Sequence, residues 1–186
     1  MINTVIELDL FLTNAIYAVI PHNLFFDTIF SFLSVVGVAA LFWFVVMIYL
    51  FYVEEKRDRR FIPYFILAVG FAFIVSSIFL KNLVQRPRPI PPDIVSLSAC
   101  PRDYSFPSSH AAIAFSAATI LTAFDKKRKW YYYGCAVLIS LSRIYLQCHF
   151  FFDVVAGGAL GYMISRFILL YELYHLKPSR KHTHGA

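Results

Sequence analysis

Apolar residues run through this chain in long blocks, and the charged residues gather between them. Residues 28–53 carry no charge, which is long enough to cross a hydrocarbon layer of about 30 Å with some tilt. That block stops at EEKRDRR, residues 54–60. A second span is predicted over 61–80, with Pro63 tolerated in the opening turn, where no internal hydrogen bond is lost. Further spans are predicted over 107–124, 130–147 and 153–174. Glycines at 157, 158 and 161 give the last one a small-residue face that permits close helix contact.

The first 22 residues differ, because Asn3, Glu7, Asp9 and Asn14 interrupt them. At helical periodicity Asn3, Glu7 and Asn14 fall on one stripe, which predicts an amphipathic helix lying in the membrane interface. A sixth span is the alternative, at the cost of burying Glu7 and Asp9. Residues 90–106, with Pro91, Pro92 and Pro101, cannot be helical throughout, and so long a connection usually carries function.

Composition agrees with the pattern: 59% of residues are hydrophobic, 18% are aromatic, and the mean hydropathy is +0.64. The expected fold is an all-α, polytopic transmembrane helical bundle with five core spans plus the N-terminal amphipathic or sixth helix. Its 186 residues leave room for a single integral-membrane domain, 1–186. The start of the chain lacks a basic n-region and a small-residue cleavage site, so no removable signal peptide is expected.

The net charge of +6 does not point to nucleic acid, because the basic residues cluster at the ends of apolar blocks. EEKRDRR and DKKRK (125–129) hold four basic residues each, and Lys177, Arg180 and Lys181 follow the last block. Alternating spans put all three clusters on one side, the cytoplasm by the positive-inside rule. Residues 81–107 and 143–153 then share the other side.

That alternation gathers Lys81, Arg88, His110, Arg143, His149 and Asp153 at one end of a small bundle. Fixed cations and histidines around a single carboxylate repel one another unless an anion sits between them, so the site calls for a phosphate-like ligand. Taken singly, each residue has a bland reading. Lys81, Arg86, Arg88 and Arg102 could anchor the outer interface, His110 could be a satisfied polar group, and Asp153 could favour a helix N-terminus.

Local chemistry strengthens the joint reading. Pro107 fits the first position of a helix, which would put the amides of Ser108, Ser109 and His110 in an opening turn able to cradle an anion. Arg88 and Arg143 can each grip oxygens bidentately. His149 and Asp153 are four apart, so on a helix they would share a face and the carboxylate would orient the imidazole.

Three stretches carry a resemblance to a known family: Lys81 with Arg88 and Pro89; PSSH at 107–110; and Ser142, Arg143, His149 and Asp153. Together they resemble the three-part signature of the type-2 phosphatidic acid phosphatase superfamily, over about 73 residues of the chain. Ser109 stands where that family most often has glycine. The resemblance implies a lipid phosphate or diphosphate phosphatase of bacterial type. In it, His149 is the nucleophile, Asp153 orients it, and His110 protonates the leaving group. Lys81, Arg88, Ser108, Ser109 and Arg143 would bind the phosphate, without metal or cofactor.

Undecaprenyl diphosphate, phosphatidylglycerol phosphate and the 1-phosphate of lipid A all fit the expected substrate class. The expected setting is a bacterial inner membrane with the site facing the periplasm or cell exterior. A non-catalytic anion binder or transporter and a haem-binding bundle are the alternatives. Arg86 and Arg102 match no motif position and are read as headgroup contacts or outer anchors. Cys100 and Cys148 fall on the same side, so a disulfide could form in an oxidising periplasm, but two unpaired thiols are the favoured expectation.

Overall fold

The computed structural model describes residues 2–34, 38–53, 61–89 and 100–175, and the described residues are helical with irregular connections. The helices are α1 (Ile2–Val19), α2 (Leu24–Ser34), α3 (Val38–Val53), α4 (Phe61–Val84), α5 (Ser109–Phe124), α6 (Lys129–Tyr145) and α7 (Phe151–His175). The first predicted span, 28–53, takes in all of α3 and α2 from its fifth residue onward, with residues 35–37 outside the described residues. Also outside them are the 54–60 cluster, residues 90–99 of the proline-rich connection, and the basic tail.

The bundle is built around α5. Its sequence, SHAAIAFSAATILTAF, puts alanine and serine on nearly every face, so α4, α6 and α7 can all pack closely against it. Ala114, Ala117, Ala118, Ile120 and Leu121 form a core with Phe61, Phe65 and Ala68 of α4 and with Ala136 and Ile139 of α6. The predicted glycine face meets α5 directly. A Cβ on Gly157 would overlap the Ser108 carbonyl oxygen, and one on Gly161 would overlap that of Ala112. Midway along the contact Ser116 and Ser165 share a hydrogen bond of 2.9 Å, which satisfies two buried hydroxyls.

Large apolar side chains point outward from the bundle, among them Leu67, Phe71, Phe79, Leu83 and Phe167. Among the described residues, two helices, Phe61–Val84 and Phe151–Tyr171, are long and apolar enough to cross a membrane. α4 is not uniform: Ile74–Leu80 is π-helical, a geometry common near functional positions, and it leads into Lys81. The helix stops at Gln85, which takes a left-handed conformation and donates its amide to the Lys81 carbonyl at 3.0 Å.

α1 packs against α6 and α7. Asn3, Glu7 and Asn14 are exposed as the polar stripe requires, yet Asp9 and Thr13 are buried on the opposite face. Burying Asp9 is feasible because Arg86 supplies its counter-charge, a partner 77 positions away.

Candidate active site

The expected residues converge at one end of the bundle, where the C-terminal end of α4, the start of α5 and the connection between α6 and α7 meet. That connection is short, and Arg143 at the end of α6 organises it. The Arg143 carbonyl accepts from the amides of Cys148 at 2.9 Å and His149 at 3.1 Å, and Gln147 turns the chain in a left-handed conformation. His149 therefore precedes α7 rather than lying on it, which corrects the expectation of a shared helical face. Asp153 sits in the first turn of α7, and its Oδ2 accepts from the Phe150 amide at 3.0 Å. This capping contact, rather than helical periodicity, brings the pair together, with His149 Nδ1 3.7 Å from Asp153 Oδ2.

The other ring nitrogen faces Arg88. Arg88 Nη1 donates to the Cys148 carbonyl at 2.6 Å and to His149 Nε2 at 3.1 Å. A guanidinium cannot accept a hydrogen bond, so Nε2 must present its lone pair, and the proton of the neutral ring belongs on Nδ1, toward Asp153. Burial, followed by the charges of Arg143, Arg88 and Lys81, holds His149 well below the usual histidine range and keeps it neutral.

Arg86 is a second carboxylate partner at this end. Its Nη1 donates to Asp153 Oδ1 at 2.7 Å, its Nη2 donates to Asp9 Oδ2 at 2.6 Å, and its guanidinium lies over the Phe150 ring. Asp9 Oδ1 also accepts from the Phe152 amide at 2.8 Å, and Thr13 Oγ1 accepts from Phe151 at 2.9 Å. The reading of Arg86 as a headgroup contact or outer anchor is thus corrected. Two buried carboxylates need a cation that reaches both, and Arg86 is the one placed to do so. Arg102, by contrast, is exposed.

Helix α5 begins at Ser109, with Ser108 extended at its N-cap, so Pro107 is not its first residue. The reason is local: the Ser108 amide donates to the Asp153 carbonyl at 3.0 Å, which holds Ser108 outside the helix and removes that amide from any anion cradle. The opening turn is Ser109, His110 and Ala111. The buried Ser108 hydroxyl has no hydrogen-bond partner, whereas Ser109 Oγ accepts from Ser77 Oγ at 2.8 Å. His110 lies within electrostatic reach of Arg143, His149, Lys81 and Arg88. Arg143 is fully buried, and its Nη1 donates to the Ser34 carbonyl at 2.9 Å.

Asp103 was not foreseen from the sequence. Its two carboxylate oxygens pair with Lys81 and with Arg88, joining two cations expected to await a phosphate. Burial pushes its carboxyl up, but hydrogen bonds from Lys81 and Arg88 outweigh this and hold it below the usual carboxylate range. The available signal was an acid set beside Arg102 in a connection that otherwise supplies cations near the site. The segment is fixed by Ser105, whose amide donates to the Arg86 carbonyl at 2.8 Å and whose hydroxyl donates to the Pro87 carbonyl at 2.9 Å. It is also tied by a Cys100–Cys148 disulfide, which corrects the expectation of unpaired thiols: the folded loops hold the two Cα atoms 5.4 Å apart, within bonding geometry.

Residues 61–177 match the sequence model of the PAP2 superfamily. An undecaprenyl-diphosphatase of Sulfolobus acidocaldarius is 34% identical over 113 residues, covering 59% of this chain and 54% of that protein. The crystal structure of Aquifex aeolicus LpxE shares 30% identity at a TM-score of 0.69, covering 88% of this chain and 96% of that one. A transmembrane PAP2 type phosphatidylglycerolphosphate phosphatase from Bacillus subtilis has the same fold, with a TM-score of 0.64 at 21% identity over 93% of this chain and 88% of its own. This chain spans 57% and 54% of the length of two of the curated relatives it matches, and less of others.

Proposed function

The chain belongs to the PAP2 superfamily, and on that premise we propose that it is a membrane lipid phosphatase that works through a phosphohistidine. The observation that carries this reading is the contact of Arg88 Nη1 with His149 Nε2 at 3.1 Å, which fixes a lone pair toward the cation cluster. His149 Nε2 attacks phosphorus in line and the bond from phosphorus to the leaving oxygen breaks. His110 donates a proton to that oxygen, and Asp153 stabilises the charged ring left behind. Water then attacks the phosphohistidine with His110 as base, releasing inorganic phosphate and restoring His149. Lys81, Arg88, Arg143, the Ser108 hydroxyl and the opening turn of α5 at Ser109 and His110 neutralise the charge that develops on the phosphoryl oxygens, which leaves no step that calls for a metal.

The substrate reading rests on position. A cavity of about 500 Å³, lined by Phe115, Val137, Ile144, Phe151, Val155 and Tyr162, opens between α6 and α7, next to the loop that carries His149. Its apolar walls suit a hydrocarbon tail while the phosphate reaches Arg88. Undecaprenyl diphosphate, phosphatidylglycerol phosphate and lipid A 1-phosphate all have this form. The distribution of basic residues supports a single domain, residues 1–186, with five core spans in a bacterial inner membrane and the site on the extracytoplasmic face.

The test is phosphate release from a panel of these lipids in detergent, before and after exhaustive chelation. Activity persists after chelation, and His149→Ala abolishes it for every lipid, a loss of about 10³-fold or more. Near-native turnover by His149→Ala removes His149 as nucleophile, and activity restored only by magnesium removes the metal-free scheme.

A further inference from the structure

Lys81 and Arg88 are the cations best placed to receive a phosphate, and in this structure a carboxylate of the chain itself already holds both. Their side chains are 5% and 6% exposed, while that of Asp103 is 45% exposed. Asp103 therefore lies on the solvent side of the pair and covers it. The same arrangement keeps Arg88 against His149 Nε2, the atom that a phosphorus would have to approach. The Asp103 segment is held in place by Ser105 and the disulfide, so the carboxylate is presented by a fixed loop rather than by a passing contact.

We propose that Asp103 is a built-in competitor for the phosphate cradle, a specificity-determining residue that admits terminal phosphate groups and turns away phosphodiesters. The inference rests on the phosphate-site reading above and adds the rule by which that site selects. Any anion that enters must displace Asp103 from Lys81 and Arg88. A phosphodiester carries a single negative charge, so its entry exchanges one monoanion for another with little electrostatic gain. A terminal phosphate carries a charge of about −1.5 to −2 near neutral pH and presents three oxygens, so it outbids the carboxylate and can also reach Ser108 and Arg143. The displaced Asp103 turns to water at small cost because it is already half-exposed. In a bilayer made largely of phosphodiester lipids this keeps the cradle from being filled by its own surroundings. The displacement lowers the apparent affinity for every phosphate by the fraction of time the cradle is open.

The test uses the purified full chain in a phosphate-free detergent, with inorganic phosphate as the probe, titrated calorimetrically. Phosphatidylglycerol, an ordinary phosphodiester, serves as the competitor. Asp103→Asn and Asp103→Ser are expected to bind phosphate about tenfold more tightly than the unmodified protein, the scale of a lost charge-assisted contact. In both variants phosphatidylglycerol displaces phosphate, whereas in the unmodified protein and in Asp103→Glu it does not. Unchanged or weaker phosphate binding by a folded Asn or Ser variant overturns the proposal. So does failure of both variants to fold, since a group that must leave on binding cannot be what holds the site together. If no lipid phosphate is hydrolysed, the catalytic reading fails, while the ratio of phosphate affinities still decides the role of Asp103.

Discussion

Arg86 Nη1 donates to Asp153 Oδ1 at 2.7 Å, joining residues 67 positions apart, and the second arm of the same guanidinium holds Asp9. Asp153 thus has one oxygen anchored by Arg86 and the other turned toward His149. Removing the guanidinium leaves two buried carboxylates without a counter-charge, and breaking a buried ion pair from one side costs about 3–5 kcal/mol. Arg86→Ala is expected to lower the thermal midpoint in detergent and to reduce kcat far more than it raises KM, with partial recovery in Arg86→Lys. Wild-type kcat in a folded Arg86→Ala protein would show that Asp153 needs no support from it.

The contact between α5 and α7 has no room for a methyl group at Gly157 or Gly161. Alanine at either is expected to cost about 1–3 kcal/mol through overpacking. The two should differ in function, because Gly157 faces Ser108, a proposed phosphate ligand, and Gly161 faces Ala112 a turn deeper. Measured together by thermal denaturation and steady-state kinetics, Gly157→Ala should raise KM, while Gly161→Ala should lose stability with KM nearly unchanged. Equal effects on KM would mean that Ser108 has no separate part in binding.

The Cys100–Cys148 bond closes a loop with a sequence separation of 48, worth up to about 4 kcal/mol on loop-closure grounds. Reduction with dithiothreitol, or Cys100→Ser with Cys148→Ser, should lower the thermal midpoint. Catalytic efficiency should fall too, because the Cys148 carbonyl receives Arg88. Cys135 is a free thiol away from this loop, and Cys135→Ser provides the control that should change neither quantity. Non-reducing mass spectrometry reads the bond directly.

His149 is held below its ordinary value of 6.5, first by burial and then by neighbouring cations, so the folded state keeps it neutral where the unfolded chain takes up a proton. The unfolded state binds more protons between that value and the lower folded one, and stability therefore rises with pH across this window. His149 contributes its full share above pH 6.5, and that share is lost progressively as pH falls below it. Asp103 follows with a depressed carboxyl, its contribution present above pH 3.8 and lost as pH falls through its folded value. Thermal midpoints taken between pH 8 and pH 5 should decline on the acidic side, and His149→Gln should flatten that decline. An unaltered slope in the variant would assign the effect to other groups.

Hydropathy made the helices legible because lipid-length apolar runs leave few alternatives. The gathering of Lys81, Arg88, His110, Arg143, His149 and Asp153 at one end of the bundle was legible because ionisable groups at such positions stand out in an apolar chain. What stayed hidden were the counter-ions. Periodicity set Asp9 off the stripe shared by Asn3, Glu7 and Asn14, but it named no partner: Asp9 is buried against Arg86, 77 positions away, while Glu7 faces outward. Asp103 and the Cys100–Cys148 bond depend on how one loop folds onto another, which spacing along the chain does not encode. The helix start shifted from Pro107 to Ser109 for the same kind of reason, a single amide captured by the Asp153 carbonyl from another helix.

Helix α1 lies wholly before the segment that matches the family, residues 61–177. Even so, Asp9 and Thr13 receive the amides of Phe152 and Phe151 that open α7, and Asp9 shares Arg86 with Asp153. The border of recognisable ancestry is therefore not the border of the working machine. A fragment cut to the inherited core would begin α7 with two stranded amide donors and a loosened Asp153. In this chain the start of α7 and the anchoring of Asp153 lean on a neighbour that bears none of the signature.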